Sequence, residues 1–236
     1  MLKKSKIVVT GGSGRFGVIL KKKTQKNFLF PGKKEFNILN LNKMLVYLKK
    51  HKPKYLIHLA GFSRPMIAHN KNISQSITLN IIGTSNVVIA CEKLNIKLIY
   101  FSTSYVYPGT SGNYKETDAV YPCNNYAWSK LGGESAVQMY KNSLILRVSM
   151  TEKPFVHKSA YANMFTNFIF HEEIIPIIKK VIHKKGIINI GGPTKTVYSF
   201  AKQYNQKIKK IFINKKNKLM PRNSSMNLNK LKKIIK

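Results

Sequence analysis

Tyr126 and Lys130 stand four residues apart in the run Tyr-Ala-Trp-Ser-Lys. Side chains at that spacing share one face of an α-helix. A free tyrosine has a pKa near ~10 and is a poor proton carrier at neutral pH, but a nearby lysine cation favours its phenolate. The pair therefore predicts a tyrosine that delivers or removes a proton while hydride moves between a substrate and a nicotinamide.

Three hydroxyl residues, Ser102, Thr103 and Ser104, follow the apolar run Leu98 to Phe101. If this run is a parallel strand, its carboxyl end lies at the edge of the sheet where open α/β folds bind ligands. A hydroxyl group there can polarise a substrate carbonyl. The alternative interpretation is a hydroxyl that only caps a turn.

A glycine loop comes directly after the first apolar strand and before a helix-like segment. Gly11, Gly14 and Gly17 fall within the run Thr-Gly-Gly-Ser-Gly-Arg-Phe-Gly. The first glycine permits a tight turn, the second lets the backbone approach a pyrophosphate, and the third lets the helix pack on the strand. The loop predicts a dinucleotide site, with Arg15 and Phe16 at the start of its helix.

Short apolar strands alternate with helical patterns along the first 150 residues, which is typical of a doubly wound parallel sheet, an α/β fold of the Rossmann class. The strands are predicted at residues 6–10, 27–30, 55–60, 97–102 and 143–148. Residues 1–150 are thus predicted to bind NAD(P), and 151–236 to form a small substrate-side region. Within the latter we predict a loop-like stretch at 151–170, a helix at 172–185 and a strand near 187–190 that returns to the main sheet.

Residues 102–134 carry the patterns Ser-Thr-x-Tyr-Val, Pro-Gly-Thr-x-Gly-x-Tyr-x-Glu-x-Asp and Asn-x-Tyr-x-x-Ser-Lys-x-x-x-Glu. These patterns resemble the extended short-chain dehydrogenases and, within them, the dTDP-4-dehydrorhamnose reductase family. The resemblance implies that Thr103, three residues before Val106, is the active hydroxyl, with Tyr126 and Lys130 as the other catalytic residues. It also implies the full set of cofactor contacts: Gly11, Gly14, Arg15, Phe16, Gly17, Lys33, Leu59, Ala60, Gly61, Asn80, Tyr126 and Lys130.

The choice of cofactor depends on the end of the second strand, where sites that prefer NAD place a carboxylate on the ribose about 20 residues after the first glycine. Here Lys33 and Lys34 occupy that stretch, and Arg15 is expected nearby. NADP is therefore favoured, while Glu35 keeps NAD open.

The resemblance implies reduction of a 4-keto nucleotide sugar by NADPH, in nucleotide-sugar or surface polysaccharide synthesis. Related dehydratases have an acidic pair after the active threonine, whereas Ser104 and Tyr105 follow Thr103 here. A nucleotide-sugar 4-epimerase uses the same three residues and stays open. So does a regulatory or polyanion-binding module without turnover, because the stretch from Arg147 to Gly191 is shorter than in the family.

The charge of +34 comes from 42 lysines and arginines against 8 acidic residues. Only four of the basic residues are arginine, whereas dedicated nucleic-acid binding uses arginine heavily. Compositional drift toward lysine is therefore the preferred explanation of the charge.

Two cysteines fit a reducing compartment, and no long apolar run predicts a membrane span. We expect a cytoplasmic protein with a nucleotide-sugar substrate and no metal; a homodimer and nucleic-acid binding stay open.

Overall fold

The computed structural model describes residues 5–214, 217 and 219–236. Elements of the first part are β1 Ile7–Thr10, α1 Arg15–Lys23, β2 Phe28–Leu29, α2 Leu41–His51, β3 Tyr55–His58, α3 Ala68–Lys71, α4 Ile73–Ser76, the π-helix Ile77–Ile82, α5 Gly83–Lys93, β4 Lys97–Thr103, a 3₁₀ turn Ser104–Val106, α6 Asn125–Met139 and β5 Ser143–Val148. Those of the second part are β6 Met150–Thr151, β7 Ser159–Tyr161, β8 Phe165–Thr166, β9 Ile169–Phe170, α7 His171–Val181, β10 Gly186–Ile190, β11 Lys195–Thr196, α8 Val197–Lys202, β12 Lys209–Ile211 and α9 Asn229–Ile235.

Six strands form one parallel sheet in the order β10-β5-β4-β3-β1-β2. The predicted doubly wound α/β class is therefore confirmed. Strand order reverses between β1 and β3, where the connections leave toward opposite sides. A crevice opens beyond the carboxyl ends of the strands at such a point. Thr10 at the end of β1 pairs with His58 at the end of β3, so the loops that follow these two strands face each other.

The four inner strands β1, β3, β4 and β5 are buried on both faces, which explains their nearly continuous apolar sequence. Alternate residues face opposite layers: Ile7 and Val9 pack with α1, α7 and α9, whereas Val8 packs with α2, α5 and α6. Helices thus cover both faces and hold the sheet rigid beneath its loops.

β3 ends earlier than the sequence predicts. The prediction extended this strand to Ala60, but it stops at His58 because the Leu59 and Ala60 amides turn to donate to the Thr10 hydroxyl, at 3.2 and 3.1 Å. Side-chain hydroxyls compete in this way with strand pairing.

The prediction of a loop-like stretch at 151–170 is wrong in part, because the stretch carries short strands, two of which pair with strands later in the chain. β6 pairs with β9, β7 with β12 and β8 with β11. Aromatic rings hold these ladders together, with the Phe200 ring 5.2–6.5 Å from those of Phe155, Phe168 and Phe170. The helix predicted at 172–185 ends at Val181, and β10 follows as a parallel partner of β5.

One helical run, Ile73–Lys93, has the length and hydropathy of a membrane span, and 39% of its tested window is buried in the protein. Val87, Ala90 and Cys91 on this run lie in the apolar layer under the sheet. A core helix of this kind passes the same test of length and composition.

Candidate active site

A cavity of about 930 Å³ lies at the carboxyl edge of the sheet. Its walls come from the loops after β1, β3, β4 and β5 and from the ladders of the second part. This volume is at the upper end of the range for ligand pockets. Most of the predicted site residues line it, namely Gly11, Gly14, Arg15, Phe16, Gly17, Leu59, Gly61, Asn80, Thr103, Tyr126 and Lys130.

The glycine loop has the geometry that dinucleotide binding needs. Gly11 has φ +70°, and a Cβ at Gly17 would lie 2.3 Å from the Gly11 carbonyl oxygen, so α1 packs against the turn only with glycine there. Gly14 caps α1 with extended backbone, and no side chain occupies that cap. The first amides of α1 are thus available to a pyrophosphate, and the loop fits a dinucleotide cofactor.

Lys33 and Ala60 are the two predicted cofactor residues that do not line the cavity. Ala60 uses its amide on Thr10, inside the turn that closes β3. Lys33 is exposed on a turn in which the Glu35 carboxylate accepts a hydrogen bond from the Gly32 amide at 3.1 Å. Glu35, the acid that kept NAD open, is therefore engaged within its own loop.

A buried histidine joins the two facing loops. Because the Thr10 hydroxyl accepts two amide protons, its own proton goes to His58 Nδ1 at 2.7 Å, which leaves Nε2 to donate to Thr84 at 3.1 Å. Complete burial and the nearby Lys130 lower the pKa of His58 to about 3. His58 is thus a neutral structural link at neutral pH.

Asn80 holds the loop after β3 rather than standing free in the cavity. Its amide exchanges two hydrogen bonds with the backbone of Phe62, at 2.7 and 2.8 Å, and donates a third to Ser129 at 2.8 Å. Ser129 in turn donates to the Tyr126 carbonyl at 2.7 Å. Asn80 lies on the π-helix Ile77–Ile82, a helix type that is frequent at functional sites.

Tyr126 lies in the first turn of α6, which Asn124 caps by accepting from the Ala127 amide at 2.9 Å. Burial raises the pKa of Tyr126, whereas the Thr103 hydroxyl and the cations Arg64 and Arg15 act to lower it. Thr103 ends β4 and also accepts from the Tyr105 amide at 3.3 Å, so it caps the following turn while it faces Tyr126.

Lys130 lies one turn after Tyr126 on α6, as the spacing predicts. Burial lowers the pKa of its ammonium group to about 7, with an opposing contribution from Glu134. The ammonium lies over the Tyr100 ring, and the Tyr100 hydroxyl donates to the Lys130 carbonyl at 2.9 Å. These contacts fix α6 on β4, the strand that carries Thr103.

A buried ion pair also ties α6 to the strands β4 and β5. Glu134 accepts from Arg147 at 2.7 and 3.1 Å and from Ser102 at 2.5 Å, and neither charged side chain is more than 3% exposed. Arg147 also donates to Tyr107 at 2.8 Å, and Tyr107 donates to Asn189 on β10 at 2.9 Å. Glu134 closes the last of the patterns in residues 102–134, but its pairing with Arg147 gave no sequence signal.

An ion-pair cluster that joins Arg15 to two residues absent from the predicted site also lies at the cavity. Glu152 contacts Arg15 at 3.2 Å and Arg64 at 2.9 Å, and all three residues line the cavity. Among the described residues, no three His, Cys, Asp or Glu side chains converge as metal ligands.

The family described as RmlD substrate binding domain matches residues 5–175. The chain belongs to this family. Its glycine loop, α6 and the strands that carry them all fall within the matched part, while β10, β11 and β12 fall outside it.

Two relatives illustrate the sequence similarity. "Methionine adenosyltransferase 2 subunit beta" from Pongo abelii is 29% identical over 180 residues, which cover 70% of this chain and 53% of that protein. A dTDP-4-dehydrorhamnose reductase from Aggregatibacter actinomycetemcomitans is 29% identical over 200 residues, which cover 80% of this chain and 63% of the reductase. The chain therefore spans about half to three fifths of the length of these relatives.

Solved structures share the fold over nearly the whole chain. The dTDP-4-dehydrorhamnose reductase of Bacillus anthracis, solved in complex with NADP, has a TM-score of 0.85 at 21% identity and covers 97% of this chain and 91% of its own. The Bordetella bronchiseptica enzyme WbmG, solved in complex with NAD, has a TM-score of 0.78 at 15% identity. The similarity includes the ladders after β5, so the second part keeps the arrangement seen in these proteins.

Proposed function

We propose that this chain is an NADPH-dependent reductase of a 4-keto nucleotide sugar. The observation that carries the proposal is that Thr103, Tyr126 and Lys130 line one cavity together with the glycine loop. A hydride donor held by that loop and a ketone held by the hydroxyl groups would thus share one enclosed space.

NADPH is the cofactor we propose, and NAD(H) is the alternative. Arg15 begins α1 directly after the glycine loop, and Glu35, the acid nearest the end of β2 in sequence, is engaged with Gly32. A ribose phosphate would therefore meet a cation and no free carboxylate in this part of the site. When bound, the cofactor supplies the hydride.

The chain's own residues would handle the proton and the carbonyl. Because burial raises its pKa, the Tyr126 phenol keeps its proton at neutral pH and can give it to the carbonyl oxygen as reduction proceeds. Thr103 would donate a hydrogen bond to the same oxygen. Lys130, fixed by Tyr100, would bind the nicotinamide ribose and favour the phenolate that remains after proton transfer.

We base the proposed substrate class on the lining of the cavity and on the relatives. Residues 151–236 would form the substrate side, since Phe155, Lys158 and Tyr161 also line the cavity. Similar proteins include dTDP-4-dehydrorhamnose reductase and GDP-L-colitose synthase from Yersinia pseudotuberculosis, which is 32% identical over 107 residues. A cytoplasmic role in nucleotide-sugar or surface polysaccharide synthesis is consistent with such a substrate.

Two other functions use the same site. A UDP-glucose 4-epimerase from Thermotoga maritima shares the fold with a TM-score of 0.75, so epimerisation with a retained cofactor is an alternative. The similarity to methionine adenosyltransferase 2 subunit beta favours a second alternative, a nucleotide-binding subunit of a larger enzyme without turnover of its own.

The test is a titration of the purified chain with NADPH and NADH, followed by an assay with a dTDP-4-keto sugar. We expect NADPH oxidation that Tyr126→Phe reduces about 10²- to 10⁴-fold with little change in NADPH affinity. Tyr121→Phe, at an exposed tyrosine outside the cavity, serves as the matched control. NADPH binding without turnover of any nucleotide ketosugar would favour the subunit, and interconversion of epimers without net oxidation would favour the epimerase.

A further inference from the structure

Arg15, Arg64 and Glu152 join three loops across the cavity. Arg15 follows the glycine loop, Arg64 lies in the loop after β3, and Glu152 follows β6. Arg64 reaches both Glu152 oxygens, at 2.9 and 3.1 Å, and Arg15 reaches one of them at 3.2 Å. The Glu152 side chain is 14% exposed, whereas those of Arg64 and Arg15 are 36% and 45% exposed.

The Glu152 carboxylate carries the opposite charge to the basic residues that line the cavity. It is the only acidic residue among the described residues that line the cavity, against Arg15, Arg64, Lys130 and Lys158. The walls therefore carry an excess of positive charge that would attract an anionic ligand.

Arg64 contacts Glu152 through Nη1 alone. Its Nε and Nη2 donate no hydrogen bond within the described part of the chain, so more than half of the guanidinium fork is unused. An arginine fork matches the oxygens of a phosphate as well as those of a carboxylate. The contact with Glu152 thus occupies a position that a phosphate oxygen could take.

The location of Arg64 distinguishes between two sources of phosphate. Burial raises the pKa of Tyr126 and of Tyr105, and Arg64 opposes this rise at both phenols, whereas Arg15 opposes it at Tyr126. The Tyr105 ring packs against the aromatic cluster of the second part of the chain, the proposed substrate side, while Arg15 is adjacent to the loop that would hold the pyrophosphate of the cofactor. Arg64 is therefore the arginine nearer to the proposed substrate side.

We propose that Arg64 binds the diphosphate of a nucleotide-sugar ligand, and that Glu152 holds this arginine in place until the diphosphate displaces it. The inference rests on the proposed function for the identity of the ligand. His171 offers the displaced carboxylate a new partner: it lines the cavity, is 4% exposed, and its Nδ1 has no hydrogen-bond partner among the described residues.

Isothermal titration with dTDP and, separately, with NADPH tests the proposal on four variants. For Arg64→Ala we expect dTDP affinity to fall about 10- to 100-fold while NADPH affinity changes less than about threefold. Arg64→Lys keeps the charge but loses the fork and should fall between Arg64→Ala and the parent chain. Arg222→Ala, an exposed arginine outside the cavity, should change neither affinity.

Glu152→Gln gives the decisive result, because a structural role and a displaceable role predict opposite changes. If Glu152 competes with the diphosphate, removing its charge should tighten dTDP binding about three- to tenfold. If it only ties the loops together, the same variant should weaken dTDP binding, and the proposal is then wrong.

Three further results would separate this proposal from the proposed function. Loss of NADPH binding in Arg64→Ala with dTDP binding intact would show that Arg64 binds the cofactor and would overturn the proposal. Arg64-dependent dTDP binding in a chain that reduces no ketosugar would support this proposal while the proposed function fails. Turnover of a ketosugar with an unchanged KM in Arg64→Ala would support the function and overturn this proposal.

Discussion

The Lys130 ammonium lies 4.1 Å from the centre of the Tyr100 ring, on the strand that ends in Thr103. The same tyrosine binds the Lys130 carbonyl through its hydroxyl, so one β4 side chain fixes both the backbone and the charged end of Lys130. An aromatic face is one of the few buried surfaces that attract a cation. Lys130 can therefore be desolvated beside Tyr126 without a direct carboxylate partner.

Lys130 should make the stability of the chain depend on alkaline pH. Its pKa is about 7 in the folded chain and near 10.5 when unfolded, so between these values the unfolded chain binds more protons and stability rises with pH. Lys130→Met should flatten this rise in thermal unfolding measured from pH 6.5 to 10. Lys97, with a pKa of about 8, contributes in the same direction, so part of the slope should remain. Lys54→Met, at an exposed lysine, should leave the slope unchanged.

His58 should dominate the acid limb of the same curve. The pKa of His58 is about 3 in the folded chain and about 6.5 in the unfolded chain. Its contribution to stability is therefore complete above pH 6.5 and is lost as pH falls toward 3. His58→Gln should lower stability at pH 7 and also give a shallower decline below pH 6. An exposed histidine, His183, provides the control through His183→Gln, and an unchanged acid slope in His58→Gln would contradict the prediction.

Gly17→Ala should damage both the fold and the dinucleotide site. The added methyl group would lie 2.3 Å from the Gly11 carbonyl oxygen, which forces the helix off the turn. We expect a loss of about 1–3 kcal/mol in the free energy of unfolding, together with weaker NADPH binding by fluorescence titration. The matched control is Gly32→Ala, whose methyl group would meet only a Glu35 oxygen at 4.0 Å. Equal losses in the two variants would show that the close approach of α1 has no role.

The buried Glu134–Arg147 pair should show strong coupling in a double-mutant cycle. Arg147→Met alone leaves the Glu134 carboxylate buried without its ion-pair partner and should cost about 3–5 kcal/mol in urea unfolding. Adding Glu134→Leu removes the stranded charge and should recover at least about 1 kcal/mol of that loss. Arg222→Met, at an exposed arginine, should stay within about 0.5 kcal/mol of the parent chain. Additive effects of the two core substitutions would refute the coupling.

Sequence reasoning succeeded where periodicity and local spacing carry the information. Short continuous apolar runs predicted the sheet strands to within two residues at each end, and the four-residue spacing placed Tyr126 and Lys130 on one helical face. The glycine loop could be interpreted because its turn, cap and helix contact are all local.

Contacts between residues that lie far apart along the chain could not be predicted from the sequence. Arg64 and Glu152 are 88 residues apart and sit on irregular loops, so neither a period nor a spacing connects them. The same holds for β7 and β12, whose pairing makes a ladder out of a segment that we predicted to be loop-like. The contact of Lys33 with the cofactor and the division of the chain at residue 150 remain predictions.

The contact between Tyr107 and Asn189 also has a consequence for the order of events during synthesis. Every residue of the glycine loop, together with Thr103, Tyr126, Lys130 and the Glu134–Arg147 pair, has been made by the time Arg147 leaves the ribosome. Until some 40 further residues follow, Tyr107 lacks the Asn189 acceptor, and β5 is an open edge without β10. At about 5–20 residues per second, a nascent chain would expose that edge for seconds. The late strand therefore both completes the hydrogen bonds that run from Arg147 through Tyr107 to Asn189 and shields the growing chain from association through an unpaired edge.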